Sequence, residues 1–177
     1  TQNRNVEKQF AADAGLKPVA YCPVLSEADI AAAIEQIGVP AILKSATLGY
    51  DGKGQVVINR PDELLAAYQS MGGVQCVLEK KIDLALEVSV IVARNAQGEA
   101  VSYPIAENQH RDGILHISLV PARIETTLAD KARQQALALA ESLNYVGILA
   151  VEFFISGSGE LIFNEMAPRP HNSGHYT

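Results

Sequence analysis

The sequence predicts an α+β fold of two lobes with a cleft between them, and three observations carry that prediction. Helical and extended patterns are segregated, not alternating: two helices, a strand–loop–strand, a third helix, then a strand-rich portion that holds one long helix. The last two strand patterns are joined by Gly157-Ser158-Gly159 and read as a hairpin, so their sheet is antiparallel. Over 177 residues, 48% hydrophobic against 19% charged gives enough apolar surface for packed cores and rules out a disordered tail.

Each element follows from a local pattern. Val6, Phe10 and Ala14 recur at helical spacing from Asn5 onward, and Gly15 fits a C-terminal cap. Pro18 to Pro23 reads as extended. Ser26-Glu27-Ala28-Asp29 carries a capping-box pattern that opens a second helix, closed by Gly38. Pro40 to Lys44 is a short strand, and QVVI is a second strand beyond a glycine-rich loop. Pro61 takes the first position of a helix that runs to about Met71. CVLEKKI and LEVSVIVAR are strands, NAQG is a turn, and EAVSYPIAE is the returning strand. After the polar stretch Asn108 to Gly113, ILHISLVPA forms another strand. Thr127 to Asn144 is a long Ala/Leu-rich helix, followed by the hairpin strands VGILAVEFFIS and ELIFNEM.

Charge and cysteine content narrow the function classes. With 14 Lys+Arg against 20 Asp+Glu, the net charge is −6, which argues against a nucleic-acid backbone binder but leaves room for a local cationic pocket for one nucleotide. Cys22 and Cys76 lack a CxxC spacing and read as buried free thiols of a reducing, cytoplasmic compartment. There is no run of 18 apolar residues, and TQNRNVEKQF has no signal-peptide core. The start without Met and the polar end NEMAPRPHNSGHYT suggest a piece of a longer protein.

Several groups could carry chemistry. Lys44 is followed by Gly49-Tyr50-Asp51-Gly52-Lys53-Gly54-Gln55, whose glycines expose backbone N–H groups to phosphate oxygens while Lys44 and Lys53 supply charge. The loop does not match GxxxxGK[ST], and Asp51-Gly52 also suits a plain hairpin turn. Pairing the last two strands around Ser156–Gly159 sets Glu152 opposite Phe163. Glu165 is then a diagonal neighbour of Glu152 on the same face, about 7–8 Å away by Cα. Two such carboxylates suit Mg²⁺; the alternative is two solvent-facing acids, which the apolar surroundings AVEFF and LIFNEM disfavour. Asn164 falls on the other face of an ideal strand, so a ligand role for it needs a local irregularity.

Arg169 suits a small oxyanion such as bicarbonate, while His171, Asn172 and His175 fit either a substrate loop or plain loop decoration. His110 fits an ordinary surface histidine. Glu87, an acid within an apolar strand, wants a partner such as ribose hydroxyls. Glu79-Lys80-Lys81-Ile82 could present backbone groups to a purine edge or form a solvated charge run.

Taken in order, AILKSATLGYDGKGQ, EKKIDLALEVSVIVAR, ENQHRDGIL, GILAVEFF and NEMAPRPHNSGHYT resemble the ATP-grasp superfamily. Within it they resemble the N5-carboxyaminoimidazole ribonucleotide synthase family, from Lys44 to Thr177. The resemblance implies an ATP-grasp fold with the nucleotide cleft between antiparallel sheets. A first lobe would span 1–78 and a second 79–177, with N-terminal and C-terminal domains missing. It implies ATP and Mg²⁺ as cofactors, bicarbonate and aminoimidazole ribonucleotide as partners, no nucleic acid or membrane, and a homodimer for the full-length protein.

Lys44 would contact ATP phosphates, with Gly49, Tyr50, Asp51, Gly52, Lys53, Gly54 and Gln55 folding over them. Glu79, Lys80, Lys81 and Ile82 would line the adenine pocket, Glu87 would hold the ribose, and His110 would sit near the nucleotide. Glu152 and Glu165 would bind Mg²⁺ with Asn164 beside them, Arg169 would face bicarbonate or carboxyphosphate, and the His171–His175 loop would approach the ribonucleotide. Many members of the superfamily carry an Asn two residues after the second Glu, where this chain has Ala167. The resemblance leaves two alternatives open: another ATP-grasp ligase, of the glycinamide ribonucleotide transformylase or biotin carboxylase type, and a nucleotide-binding module without turnover.

Overall fold

A computed structural model of the chain describes residues 3–47, 54–111 and 113–177. It divides into two compact units: Thr1–Glu7 with Val19–Ile82, and Lys8–Pro18 with Asp83–Thr177. The division falls inside helix α1 (Arg4–Asp13). Among the described residues no helix is long and apolar enough to cross a membrane.

The first unit holds β1 (Tyr21–Val24), α2 (Ile30–Ile37), β2 (Ala41–Ser45), β3 (Gln55–Ile58), α3 (Glu63–Ser70) and β4 (Cys76–Lys80). Its sheet has the order β1-β4-β2-β3, antiparallel throughout. Period-two alternation turns Ala41, Leu43, Cys76 and Leu78 toward Ala33 and Ile37 of α2 and Leu64, Ala67 and Tyr68 of α3. Lys44 and Glu79 therefore lie on the opposite face. The Asp29 carboxylate accepts from the backbone N–H groups of Leu25 and Ser26 at 2.9 and 2.8 Å, ahead of α2. Regular α3 begins at Glu63, two residues later than Pro61 predicts. Glu63 and Leu64 first donate to the carbonyls of Arg60 and Pro61, three residues back, which makes a tight turn ahead of the helix.

The second unit holds β5 (Leu84–Arg94), β6 (Ala100–Ser102), β7 (Ala106–Arg111), β8 (Ile114–Leu119), α4 (Thr126–Ser142), β9 (Gly147–Ser156) and β10 (Leu161–Ala167). The order is β10-β9-β5-β7-β8, with β6 beside β5. One face of β5 and β9 sets Val88, Val90, Val92, Leu149, Val151 and Phe153 against Ala132, Ala136 and Leu139 of α4 and against Ala11. Glu87, Ser89 and Glu152 alternate onto the other face. Both cysteines are free, Cys76 buried and Cys22 half-buried.

Three local expectations are corrected. The strand expected over EAVSYPIAE breaks after Ser102, because Pro104 has no N–H to give to a ladder. Its pairing resumes at Ala106, and Asn108–Arg111 continue as strand against β8 instead of forming a connection. On α1, Phe10 and Ala14 pack against the core as expected, but Val6 is 55% exposed, and the buried positions are Glu7, Lys8 and Ala11. Lys8 tolerates burial because its ammonium donates to the carbonyl of Asn164 at 3.0 Å.

The register of the last hairpin is also different. Ser156 donates to the carbonyl of Glu160 at 3.0 Å, so the loop is the three residues Gly157–Gly159, with Gly159 at φ +79. Phe163 then faces Phe153, not Glu152.

Candidate active site

The hairpin register decides the central feature. Beyond Phe163 the pairing shifts by one residue, and Glu165 lies directly opposite Glu152. The residue bulged out is Asn164, so the strand has the irregularity that an ideal β10 lacks at that position. The bulge frees the Asn164 carbonyl from the ladder and Lys8 caps it. The two carboxylates thus sit on an opposed pair, about 4.5–5.5 Å apart by Cα, closer than the expected diagonal placement.

Glu152 is 8% exposed. Burial, and then the neighbouring charge of Glu165, push its pKa upward, while His110 and a hydrogen bond from Ser89 act the other way. His171 reaches the same group, with Nδ1 3.5 Å from Glu152 Oε1. Burial holds its imidazole below the usual histidine range. A short 3₁₀ turn, Asn172–Gly174, places it: the Ser173 hydroxyl lies 2.9 Å from His171 Nδ1. Gly174 lets this turn sit close on β5: a Cβ there would stand 3.2 Å from Ile91 Cδ1, so Ile91 would have to shift by a few tenths of an ångström.

Glu152, Glu165 and His171 each offer a ligand atom within 4.8 Å of one another. Next to Glu165 in the chain, Asn164 Oδ1 is buried with no hydrogen-bond partner among the described residues. Two carboxylates side by side and an imidazole form a donor set that fits a divalent cation. The sequence reading paired His171 with substrate, not with the carboxylates; no spacing rule links a tail residue to two strands.

Further along the same face, Glu87 stands opposite Asn108 in the ladder. A register shift between Gln109 and His110 accompanies the approach of His110 Nδ1 to Glu87 Oε2, 2.7 Å. That contact raises the His110 pKa against the opposing effect of burial. His110 is therefore part of a half-buried ion pair, not an ordinary surface histidine.

The first unit places Lys44 and Glu79 together. Lys44 faces Val77 in the β2–β4 ladder, so Glu79 is its diagonal neighbour. Lys44 Nζ lies 2.7 Å from Glu79 Oε2, with side chains 11% and 2% exposed. The expected adenine segment thus contributes a side chain to Lys44. Lys80 Nζ donates to the carbonyl of Val39 at 3.4 Å. Lys81 and Ile82 follow β4, Lys81 donating its N–H to the Pro40 carbonyl at 3.2 Å.

Of the glycine-rich loop, Gly49, Tyr50, Asp51, Gly52 and Lys53 lie outside the described residues. Gly54 has φ +72, and Gln55 pairs with Lys44 in β3. Arg169 is exposed and donates to the carbonyl of Pro170 at 3.0 Å. Asn172 and His175 are exposed at the two ends of the tail turn.

An ATP-grasp domain model matches residues 9–177, and the chain belongs to the ATP-grasp family. Within the family, it is 45% identical over 177 residues to the N5-carboxyaminoimidazole ribonucleotide synthase of Bacillus subtilis (strain 168), covering all of this chain and 47% of the relative. A solved ADP complex of N5-carboxyaminoimidazole ribonucleotide synthetase superimposes with a TM-score of 0.94 at 47% identity, over 100% of this chain and 47% of that one. The Aspergillus clavatus synthase, solved with ADP and 5-aminoimidazole ribonucleotide, gives 0.88 at 28% identity, over 99% and 46%. The chain spans about half the length of the curated relatives it matches.

Proposed function

We propose that the whole protein of which this chain is a part carboxylates 5-aminoimidazole ribonucleotide with ATP and bicarbonate, giving N5-carboxyaminoimidazole ribonucleotide, ADP and phosphate. The observation that carries this reading is the bulge-enforced pairing of Glu152 with Glu165, which concentrates negative charge where a nucleotide-bound cation would offset it. The similarity to synthases solved with ADP, and in one case with 5-aminoimidazole ribonucleotide, supports the choice of substrates.

In this reading Glu152 and Glu165 hold Mg²⁺, with His171 and the Asn164 amide oxygen available as further donors. The cation supplies charge neutralisation at the phosphates and polarises the γ-phosphoryl group. Lys44, released from Glu79, and Lys53 bind phosphate oxygens, while Glu87 accepts from the ribose hydroxyls and is oriented by His110. A bicarbonate oxygen, positioned by Arg169, attacks the γ-phosphorus, and ADP leaves to give carboxyphosphate. The exocyclic amine of the ribonucleotide, bound at the His171–His175 loop, then takes the carboxyl carbon as phosphate departs. The residues act by positioning and electrostatics, without a covalent nucleophile. The 177-residue chain itself is expected to bind Mg-ATP without completing turnover.

The test is ATP titration with Mg²⁺ on the wild type and Glu165→Ala, followed by product analysis of the full-length protein with 5-aminoimidazole ribonucleotide, glycinamide ribonucleotide and biotin. The reading requires weaker Mg-dependent binding in the variant and ADP release stimulated by 5-aminoimidazole ribonucleotide alone. Equal binding, or stimulation by another acceptor, overturns it.

A further inference from the structure

Three polar residues on the site-bearing face of the second sheet have so far been given no role. Ser118 on β8 stands directly opposite Asn108 on β7. Ser89 on β5 stands directly opposite Glu152 on β9, which in turn faces Glu165 on β10. Asn108 faces Glu87 in the β5–β7 register, so Ser89 is its diagonal neighbour, and hydrogen bonds across that diagonal join these residues into one polar row over five strands. The Ser118 hydroxyl donates to Asn108 Oδ1 at 2.9 Å. The Asn108 amide donates to Ser89 Oγ at 2.5 Å. The Ser89 hydroxyl donates to Glu152 Oε1 at 3.3 Å.

The direction of this string follows from donor inventory. With its Oδ1 turned to the Ser118 hydroxyl, Asn108 presents its NH₂ to Ser89. Ser89 then accepts with its lone pair, and its single hydrogen is left for Glu152. Ser89 is 0% and Asn108 5% exposed, so water does not compete for the bonds from Asn108 to Ser89 and from Ser89 to Glu152, while Ser118 at the outer end is exposed. Such a row is costly in a sheet interior unless every member is satisfied, and it ends on a carboxylate oxygen that His171 also approaches.

We propose that Ser89 and Asn108, set in direction by Ser118, are positioning residues that aim the Glu152 carboxylate at a divalent cation shared with Glu165. The proposal rests on the metal reading given above. Hydrogen-bonded partners of a metal-binding carboxylate fix its rotamer and tune its donor strength, and losing one lowers metal affinity by about 10–100-fold.

The experiment is titration of Mn²⁺ alone into wild type, Ser89→Ala, Ser89→Thr, Asn108→Ala and Glu165→Ala. Free Mn²⁺ is followed by electron paramagnetic resonance, and thermal unfolding is measured in metal-free buffer. Ser89→Ala is expected to weaken Mn²⁺ binding about tenfold, Asn108→Ala about threefold, and Ser89→Thr, which keeps the hydroxyl, to restore near wild-type affinity. Wild-type affinity in both alanine variants overturns the proposal and leaves the metal reading standing. So does a loss in Ser89→Thr equal to that in Ser89→Ala, since packing and not the hydroxyl would then matter. If wild type and Glu165→Ala bind Mn²⁺ equally, or neither binds it, the metal reading fails and takes the proposal with it. Should Ser89→Ala fail to fold, Asn108→Ala and Ser89→Thr decide the question.

Discussion

The four-stranded and six-stranded sheets both bury charged side chains on the face turned away from their helices, but they balance those charges in opposite ways. In the first, Lys44 and Glu79 are diagonal neighbours that neutralise each other at 2.7 Å. In the second, two carboxylates face each other across β9 and β10, with an imidazole beside them. A buried opposite pair is balanced within the chain, and removing one partner leaves the other charge less compensated. Two like charges set side by side, one buried and one half-buried, repel each other, and a cation between them relieves that repulsion. The six-stranded sheet shows the same contrast internally. On its α4-facing side Glu107, fully buried, meets Arg123 through Oε1 at 2.5 Å and Oε2 at 3.0 Å, which holds its carboxyl down to about 2.

Three substitutions press on this contrast, in falling order of effect. Lys44→Ala removes the ammonium 2.7 Å from the buried Glu79 carboxylate, and urea unfolding is expected to show a loss of about 3–5 kcal/mol, most of it recovered by Lys44→Met with Glu79→Leu. A loss below about 1 kcal/mol, the scale of an exposed pair, would mean that Lys44 is not what balances Glu79.

Glu152→Gln should behave the other way round. Because burial and Glu165 already disfavour its charge, metal-free stability should be unchanged or higher, while Mn²⁺ affinity falls about a hundredfold, or about 2.8 kcal/mol. A destabilised metal-free variant would break the comparison.

Glu107→Gln should cost about 1–3 kcal/mol at neutral pH. The Glu107 pKa is depressed from 4.5 to about 2, so its contribution is full above the unfolded value and is lost as pH falls toward 2. Acid titration of stability should therefore be shallower in the variant. A parallel acid limb would assign the loss to other carboxylates.

The sequence pointed to most elements because their signals are local. Alternation in PAILK and LEVSVIVAR, the Gly15 and Gly38 ends, and the Ala/Leu-rich run of α4 need no distant partner to be read. The errors fell where a single residue overrides a pattern. Pro104 interrupts a strand that composition alone continues. The three-residue loop shifts the hairpin, and the Asn164 bulge then shifts it again, which side-chain period cannot reveal. Lys8 is buried against helical patterning, with its ammonium on a carbonyl of β10.

By itself, then, the sequence determined an acidic α+β chain with two strand-rich parts, named Glu87, Glu152 and Glu165 as acids too deeply set among apolar residues to be idle, and singled out Lys44 as charge beside a glycine-rich loop. Composition and short-range pattern are enough for that, since burial of a charge is costly wherever it occurs. Only the tertiary structure decided which charge meets which. Lys44 with Glu79, His110 with Glu87, His171 with Glu152 and the Ser118–Asn108–Ser89 line are all set by strand register and sheet order. Those depend on non-local pairing, which no window of sequence contains.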